Sequence, residues 1–332
     1  MKKVVVLLSV VAMFAVLVAV AGVSLAAEKK DTAFVNIGTA GIGGSYYPTG
    51  GYICGVLNAG RVKFGHNIRC SVESTGGSVA NIRALQTGDM GVGIVMSTYE
   101  LQSYNGTGTF EKEGANKKLR YLYGIVEEPV HIVARKDANI KNFMDLKGKI
   151  VNTGAVGSGT ESMVYDMLKR YGVNPKEFFK QDTKLSTREQ SSALCDGKIN
   201  AFFWVTAVGA GTIMEATNTC AADLVTWDDD VVTKMLTERP EAAKMIIPAN
   251  SYRGQEKDVI SWGTPGVVLA SSDVPDHVIY YLVKGVFDDI ETFKKQSPMY
   301  KNLTAKWAAT AGKTIPYHPG AEKYFREVGL VK

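Results

Sequence analysis

The sequence predicts an α/β protein built as two three-layer α/β/α lobes joined by a two-crossing hinge. Three observations point there. One pattern recurs four times: an apolar strand, a turn of glycines and hydroxyls, then an amphipathic helix. Strand-like and helix-like segments alternate over most of the chain, as parallel strand–helix–strand units require. A proline directly after two acids, Glu127-Glu128-Pro129, separates two strand-like runs and marks a crossing between lobes.

From the N-terminus, Lys2 and Lys3 precede an apolar run at residues 4–20, and Ser24-Leu25-Ala26 supplies small residues where a signal peptidase reads. Residues 1–26 are therefore expected to be a signal peptide cleaved after Ala26, which sends the protein to the periplasm. An uncleaved N-terminal anchor is the alternative, because the run is long for a signal core. Removing 26 residues leaves 306, enough for two lobes with cores of their own. The net charge of +5 falls to +3 without Lys2 and Lys3, and acids and bases are interspersed, so the pattern argues against nucleic acid as a partner.

The first unit is a strand at 34–37, the turn Gly38-Thr39-Ala40-Gly41-Ile42-Gly43-Gly44-Ser45 and a helix opening at Tyr46-Tyr47-Pro48. The second is a strand at 68–73, the turn Ser74-Thr75-Gly76-Gly77-Ser78 and a helix at 79–86. The third, 92–96, turns at Ser97-Thr98; the fourth, 150–152, turns through residues 153–160 to a helix at 161–171 that stops at Gly172. Each such turn aims unpaired backbone N–H groups and the positive end of a helix at one spot, a ready place for an anion.

After the third unit, residues 117–126 read as a strand and 130–134 as another beyond Pro129. A helix at 187–195 and a strand at 201–204 with Thr206 begin a fifth, weaker copy. Residues 246–252 read as the return crossing, followed by a buried strand at 266–270 and helices near 274–284, 287–295 and 303–310. The expected organisation is lobe 1 at 31–128 and 250–332, lobe 2 at 129–249, and hinges near 127–130 and 248–252. Two crossings and a cleft are the plan of a type II-like periplasmic solute receptor.

Four cysteines in an exported chain count in pairs, Cys54 with Cys70 and Cys195 with Cys220, each closing a short loop for about 3 kcal/mol. Four buried free thiols are the other possibility. There is no Cys-x-x-Cys and no paired histidine spacing, so neither a metal site nor a cofactor is expected.

Gly41, Gly44 and Ser45 form the first candidate contact wall with Tyr46 or Tyr47; Ser74, Thr75, Gly76 and Ser97 extend it. Ser158, Gly159 and Thr160 with Trp204 and Thr206 form the opposite wall. The hydroxyls also serve as helix caps, and the aromatics as core, so each has a plainer explanation. Glu127 and Glu128 meet a ligand ammonium or are solvated, and solvation is the simpler expectation. The glycine turn lacks dinucleotide spacing, since Tyr46 occupies the last glycine position. Gly76-Gly77-Ser78-Val79-Ala80 lacks the final glycine of a nucleophile elbow, and His66, His131, His277 and His318 are scattered, so no catalytic residue is expected.

Residues 35–48, 71–79 and 157–161, with Glu128-Pro129-Val130-His131 and Leu146-Lys147-Gly148-Lys149, resemble the TAXI family of solute-binding subunits of TRAP transporters. The resemblance spans nearly all of the mature chain. It implies a non-enzymatic, monomeric receptor that closes on a small-molecule solute, a glutamate- or glutamine-like amino acid or another small carboxylate. It also implies delivery to ion-coupled TRAP membrane permease subunits, separate or fused. The rival classes are a ligand-sensing module for a membrane signalling partner and a transferase on the same architecture.

Overall fold

The computed structural model describes residues 32–332. The expected signal peptide lies outside them. The chain runs β1 (Ala33–Gly38), α1 (Tyr46–Phe64), β2 (Ile68–Glu73), α2 (Ser78–Thr87), β3 (Val92–Met96), α3 (Ser97–Asn105) and the long β4 (Leu119–Arg135). It continues through β5 (Ile150–Asn152), α4 (Gly159–Arg170), the short α5 (Pro175–Phe178), β6 (Gln181–Asp182), α6 (Thr187–Cys195), β7 (Ala201–Val205), α7 (Gly211–Thr219), β8 (Ala222–Leu224), α8 (Asp230–Glu238) and β9 (Ala243–Ile247). The second long strand, β10 (Val259–Ser271), precedes α9 (Asp276–Phe287), α10 (Ile290–Lys294), α11 (Ala305–Thr310) and α12 (Pro319–Glu327).

Local chemistry explains these elements. All five residues of β3 are apolar or glycine and buried, as a strand covered on both faces must be. In α9, Val278, Ile279, Leu282, Val283 and Val286 repeat at helical spacing and are buried along one face. Asp229 starts α8 by accepting the N–H of Val232 at 3.0 Å.

The strands follow the order β2-β1-β3-β10-β4-β7-β5-β6, with β8 beside β4 and β9 beside β10. The expectation of parallel sheets needs correction. β1–β3, β5–β6 and β5–β7 pair parallel, but β10 is antiparallel to both β3 and β4, and β4 is antiparallel to β7. The sheet is thus mixed, parallel on its flanks and antiparallel along the two strands that run through both halves.

Pro129 does not end a strand as expected. β4 continues through it, because that residue is where the strand changes partners: Thr264 faces Glu128 and Gly263 faces Pro129 on β10, while pairing with β7 begins at Val130 opposite Val205. A proline, lacking an N–H, fits where the ladder passes from one neighbour to the next. The return also differs from expectation. Ile246 and Ile247 end β9 and are followed by a turn, and the chain re-enters the first half along β10.

The tail closes onto the first half. The carboxylate of Glu100 accepts from Thr314 and Ile315 N–H at 2.9 and 3.0 Å, and the Thr49 and Tyr300 hydroxyls meet at 2.6 Å. Both disulfides are present, Cys54–Cys70 and Cys195–Cys220. The core of the second half is aromatic: Phe143 stacks on Tyr171 and on Trp227, with ring centroids 4.5 Å away in each case, and Trp227 donates its indole N–H to the Tyr171 hydroxyl at 2.8 Å.

Candidate functional site

Four helix starts and two strand ends converge on one cavity of about 220 Å³, below the ~300–1,000 Å³ usual for drug-sized ligands. From the first half, Gly41, Gly44, Ser45 and Tyr46 open α1, Ser74, Thr75, Gly76, Gly77 and Ser78 open α2, and Met96 ends β3. From the second half, Ser158, Gly159 and Thr160 open α4, Leu185, Ser186 and Thr187 open α6 with Gln190 inside it, and Trp204 lies at the end of β7. Glu128, where β4 changes partners, completes the wall.

Three residues singled out by the sequence stand elsewhere. Tyr47 follows Tyr46 on α1 by about 100° of helix rotation, so with Tyr46 turned inward it is 37% exposed and off the cavity. Ser97 is fully buried at the start of α3, packed toward Gly312. Thr206 is buried just behind the wall, where its hydroxyl donates to Ser45 Oγ at 3.2 Å. Tyr252, at the end of the expected return crossing, is not a lining residue either: its hydroxyl lies 3.1 Å from His131 Nε2 and accepts Gly209 N–H at 2.9 Å.

The two halves touch around the cavity. Tyr99 donates its hydroxyl to Gly159 O at 2.6 Å, and Thr212 donates to Gly43 O at 3.2 Å. Two glycines permit this approach. A Cβ on Gly44 would lie 2.9 Å from the Trp204 ring, and one on Gly159 would lie 2.7 Å from Met96 Sδ and 2.9 Å from Ser78 Oγ.

The helix starts divide into two kinds. In the second half, Ser158 caps α4 by accepting Glu161 N–H at 3.1 Å, and Ser186 forms a capping box with Glu189 on α6. In the first half neither α1 nor α2 has a side-chain cap. Ser45 is engaged instead with Glu128, and Ser74 donates to Ala40 O at 3.0 Å. Gly44 N–H is taken by Gly41 O at 3.1 Å and Gly77 N–H by the Thr75 hydroxyl at 3.0 Å, so the uncapped starts offer the N–H groups of Ser45 and Tyr46 and of Gly76 and Ser78, with the partial positive charge of two helices, which suits a carboxylate. Among the described residues no lysine or arginine lines it.

Buried polar frames hold both walls. Asn81 donates to Thr39 O and Ile94 O at 2.7 and 2.8 Å and accepts from Thr75 at 2.7 Å, tying the first two turns to β3. In the second half, Lys184 bonds Asp182 and Glu161 at 2.6 and 2.8 Å, and Glu161 in turn accepts Gly157 N–H at 2.7 Å. Lys184 adopts φ of 53°, a left-handed backbone that costs a non-glycine residue about 1 kcal/mol or more.

Sequence reasoning did not single out Met96, Leu185, Ser186 or Thr187, and it missed two fully buried polar side chains of the cavity. Glu128, expected to be solvated, is fully buried, accepting from Tyr46 at 2.6 Å and Ser45 at 3.2 Å. Burial pushes its carboxyl up to about 8, against the two hydroxyls that pull it down. Gln190 is fully buried and reads in sequence as an ordinary helix residue; the signal was Ser186-Thr187 just before it, another hydroxyl-bearing helix start. Its Oε1 accepts from Asn152 at 3.0 Å, whereas its Nε2 has no partner among the described residues, a state that costs about 1–3 kcal/mol when buried.

A family model described as the NMT1-like family matches residues 37–329. The chain belongs to the NMT1-like family. A solved structure described as the molecular and structural basis of glutathione import in Gram-positive bacteria via GshT and the cystine ABC importer TcyBC of Streptococcus mutans is similar to this NMT1-like chain, at 16% identity and a TM-score of 0.51. The match covers 82% of this chain and 95% of that one. The GluR0 ligand-binding core of Nostoc punctiforme in complex with L-glutamate matches at 13% identity and a TM-score of 0.46, over 81% and 98% of the two chains. The likeness to the glutathione-import structure, with the mixed sheet described above, gives the NMT1-like chain the two-lobed, type II binding-protein α/β fold. Among its described residues no helix is long and apolar enough to cross a membrane, and no group of three His, Cys, Asp or Glu side chains is placed to hold a metal.

Proposed function

We propose that the protein is a periplasmic solute receptor of the TAXI type, without enzymatic activity. It captures a small carboxylate or amino acid and presents it to TRAP permease subunits. The observation that carries this reading is a small cavity bounded by both halves, with two uncapped helix starts on one side and a buried carboxyl at the junction. The solute's carboxylate would sit on the N–H groups ahead of α1 and α2. An amino group, where the solute has one, would face Glu128. Lobe 1 (31–128 and 250–332) and lobe 2 (129–249) would part to admit it, and only contacts made to both lobes favour closure. Import-related neighbours of the same fold support the receptor class. The TRAP assignment rests on the turn motifs of the sequence.

The test uses protein from Ala27 onward, stripped of carried-over ligand, with thermal shifts measured against glutamate, glutamine, 2-oxoglutarate, succinate, leucine-type amino acids and simple sugars. Ligand at about 100 times its Kd adds roughly 2.7 kcal/mol, a shift of several degrees. A shift with a carboxylate or amino acid is expected. Shifts confined to the sugars would overturn the carboxylate assignment.

A further inference from the structure

Among the described cavity-lining side chains, Gln190 carries a buried polar atom with no acceptor in the protein. Its orientation is fixed by its neighbours. Asn152 Oδ1 accepts Leu185 N–H at 2.7 Å and the Thr183 hydroxyl at 3.3 Å, so Asn152 presents its own amide nitrogen to Gln190. That nitrogen donates to Gln190 Oε1 at 3.0 Å, which leaves Nε2 as the end of the carboxamide with nothing to bond. The backbone beside it is held in a costly shape. Lys184, left-handed at φ 53°, is anchored by Asp182, Glu161, Thr153 and Tyr165 and delivers Leu185 to the cavity wall. An oriented, unsatisfied donor kept in place by strained backbone is what a preorganised ligand contact requires.

We infer that Gln190 is a solute-binding residue, donating its amide N–H to a carboxylate or carbonyl oxygen of the solute from the second half. This rests on the receptor reading and deepens it. The first half meets one acceptor end of the solute at the α1 and α2 starts, and Gln190 meets a second. The preferred solute therefore carries oxygen acceptors at both ends, and a one-ended analogue leaves the amide unpaired.

The experiment is calorimetric titration of ligand-stripped protein at pH 7 with two-ended probes, L-glutamine, L-glutamate and succinate, and with one-ended probes, L-norvaline and butyrate. Gln190→Met should weaken the two-ended probes by roughly 10- to 100-fold and the one-ended probes by less than about threefold. Gln190→Glu keeps the acceptor for Asn152 but removes the donor. Its affinity for the same two-ended probes should fall more steeply as pH rises and the new carboxyl ionises than that of the wild type, where Glu128 is the only carboxyl among the described lining residues. Two-ended affinities of Gln190→Met within about threefold of wild type, or equal losses for both probe classes, would overturn the inference. If wild type binds none of the probes, the receptor reading for these solutes fails separately, and melting of the ligand-free proteins decides the role of Gln190. A Gln190→Met midpoint at or above wild type supports a donor reserved for ligand, and a drop of more than about 5 °C shows that the amide serves the fold.

Discussion

Thr206 donates its hydroxyl to Ser45 at 3.2 Å, although the two lie 161 residues apart and on opposite sides of the cavity. Ser45 in turn donates its hydroxyl to Glu128 at 3.2 Å, so a single file of hydrogen bonds links the end of β7, the start of α1 and the point where β4 changes partners. Thr206→Val keeps shape and removes the donor. It should weaken solute binding by roughly 2- to 10-fold, the value of one hydrogen bond made only when the halves meet, with little change in ligand-free melting. Calorimetry on the variant checks this, and unchanged affinity would show that the link does not favour closure.

Gly44→Ala tests the close approach of the halves from the other direction. The added Cβ would sit 2.9 Å from the Trp204 ring, so the halves must stand further apart. Affinity should fall by at least about tenfold, while ligand-free stability, with the halves free to separate, changes by less than about 1 kcal/mol. Gly44→Ala with Trp204→Ala together should recover part of the loss. No recovery would place the clash elsewhere.

Stability should depend on pH in a definite direction. Burial raises Glu128 and Glu100 to about 8, so the folded protein keeps protons that the unfolded chain releases above pH 4.5. Their contribution therefore diminishes as pH climbs from about 4.5 to 8. Burial lowers His131 to about 4, and the unfolded chain then binds the extra proton, so that group adds stability from pH 4 up to 6.5 and nothing further above it. Between pH 6.5 and 8 the two carboxyls act unopposed by His131. The urea midpoint should drop across that window, and Glu128→Gln should flatten the drop. A slope as steep in the variant as in wild type would contradict the assignment.

Each disulfide should matter through the chain it closes. Cys54–Cys70 spans 16 residues and ties α1 to β2, and Cys195–Cys220 spans 25 and ties the end of α6 to the link between α7 and β8. Replacing either pair with alanines should cost roughly 3 kcal/mol in denaturant titrations of the ligand-free protein. Solute affinity measured well below the midpoint should stay near wild type, because none of the four cysteines lines the cavity.

The parts of this fold legible in the sequence are those governed by local grammar. The strand, turn and helix limits around Ile68, Val92, Ile150 and Thr187 follow from apolar runs ended by glycine and hydroxyl turns, which is local information. The antiparallel β4–β10 pair was not legible, because nothing within residues 119–135 says which distant strand will lie beside them. Pro129 misled for the same reason: its missing N–H is harmless only given a change of partner. At the site, the turns that line the cavity share one pattern, and the structure brings them together. Glu128 and Gln190 escaped because a lone acid reads as surface and a lone glutamine as helix exterior, and only tertiary packing turns them inward.

The halves are joined by sheet rather than by loop, which limits how the length of this chain can vary. Side chains alternate faces along β4 and both faces are buried from Glu128 to Ala134, so one residue inserted between Glu128 and Val130 would exchange Val130, Ile132 and Ala134 with His131 and Val133 between the two cores that cover the strand. Were the pairing of Val130 with Val205 kept instead, the shift would fall on Glu128, which would lose its register with Thr264 and its contact with Ser45. Changes of length are therefore excluded from both long strands and confined to exposed stretches such as residues 111–113, where no such register exists to be lost.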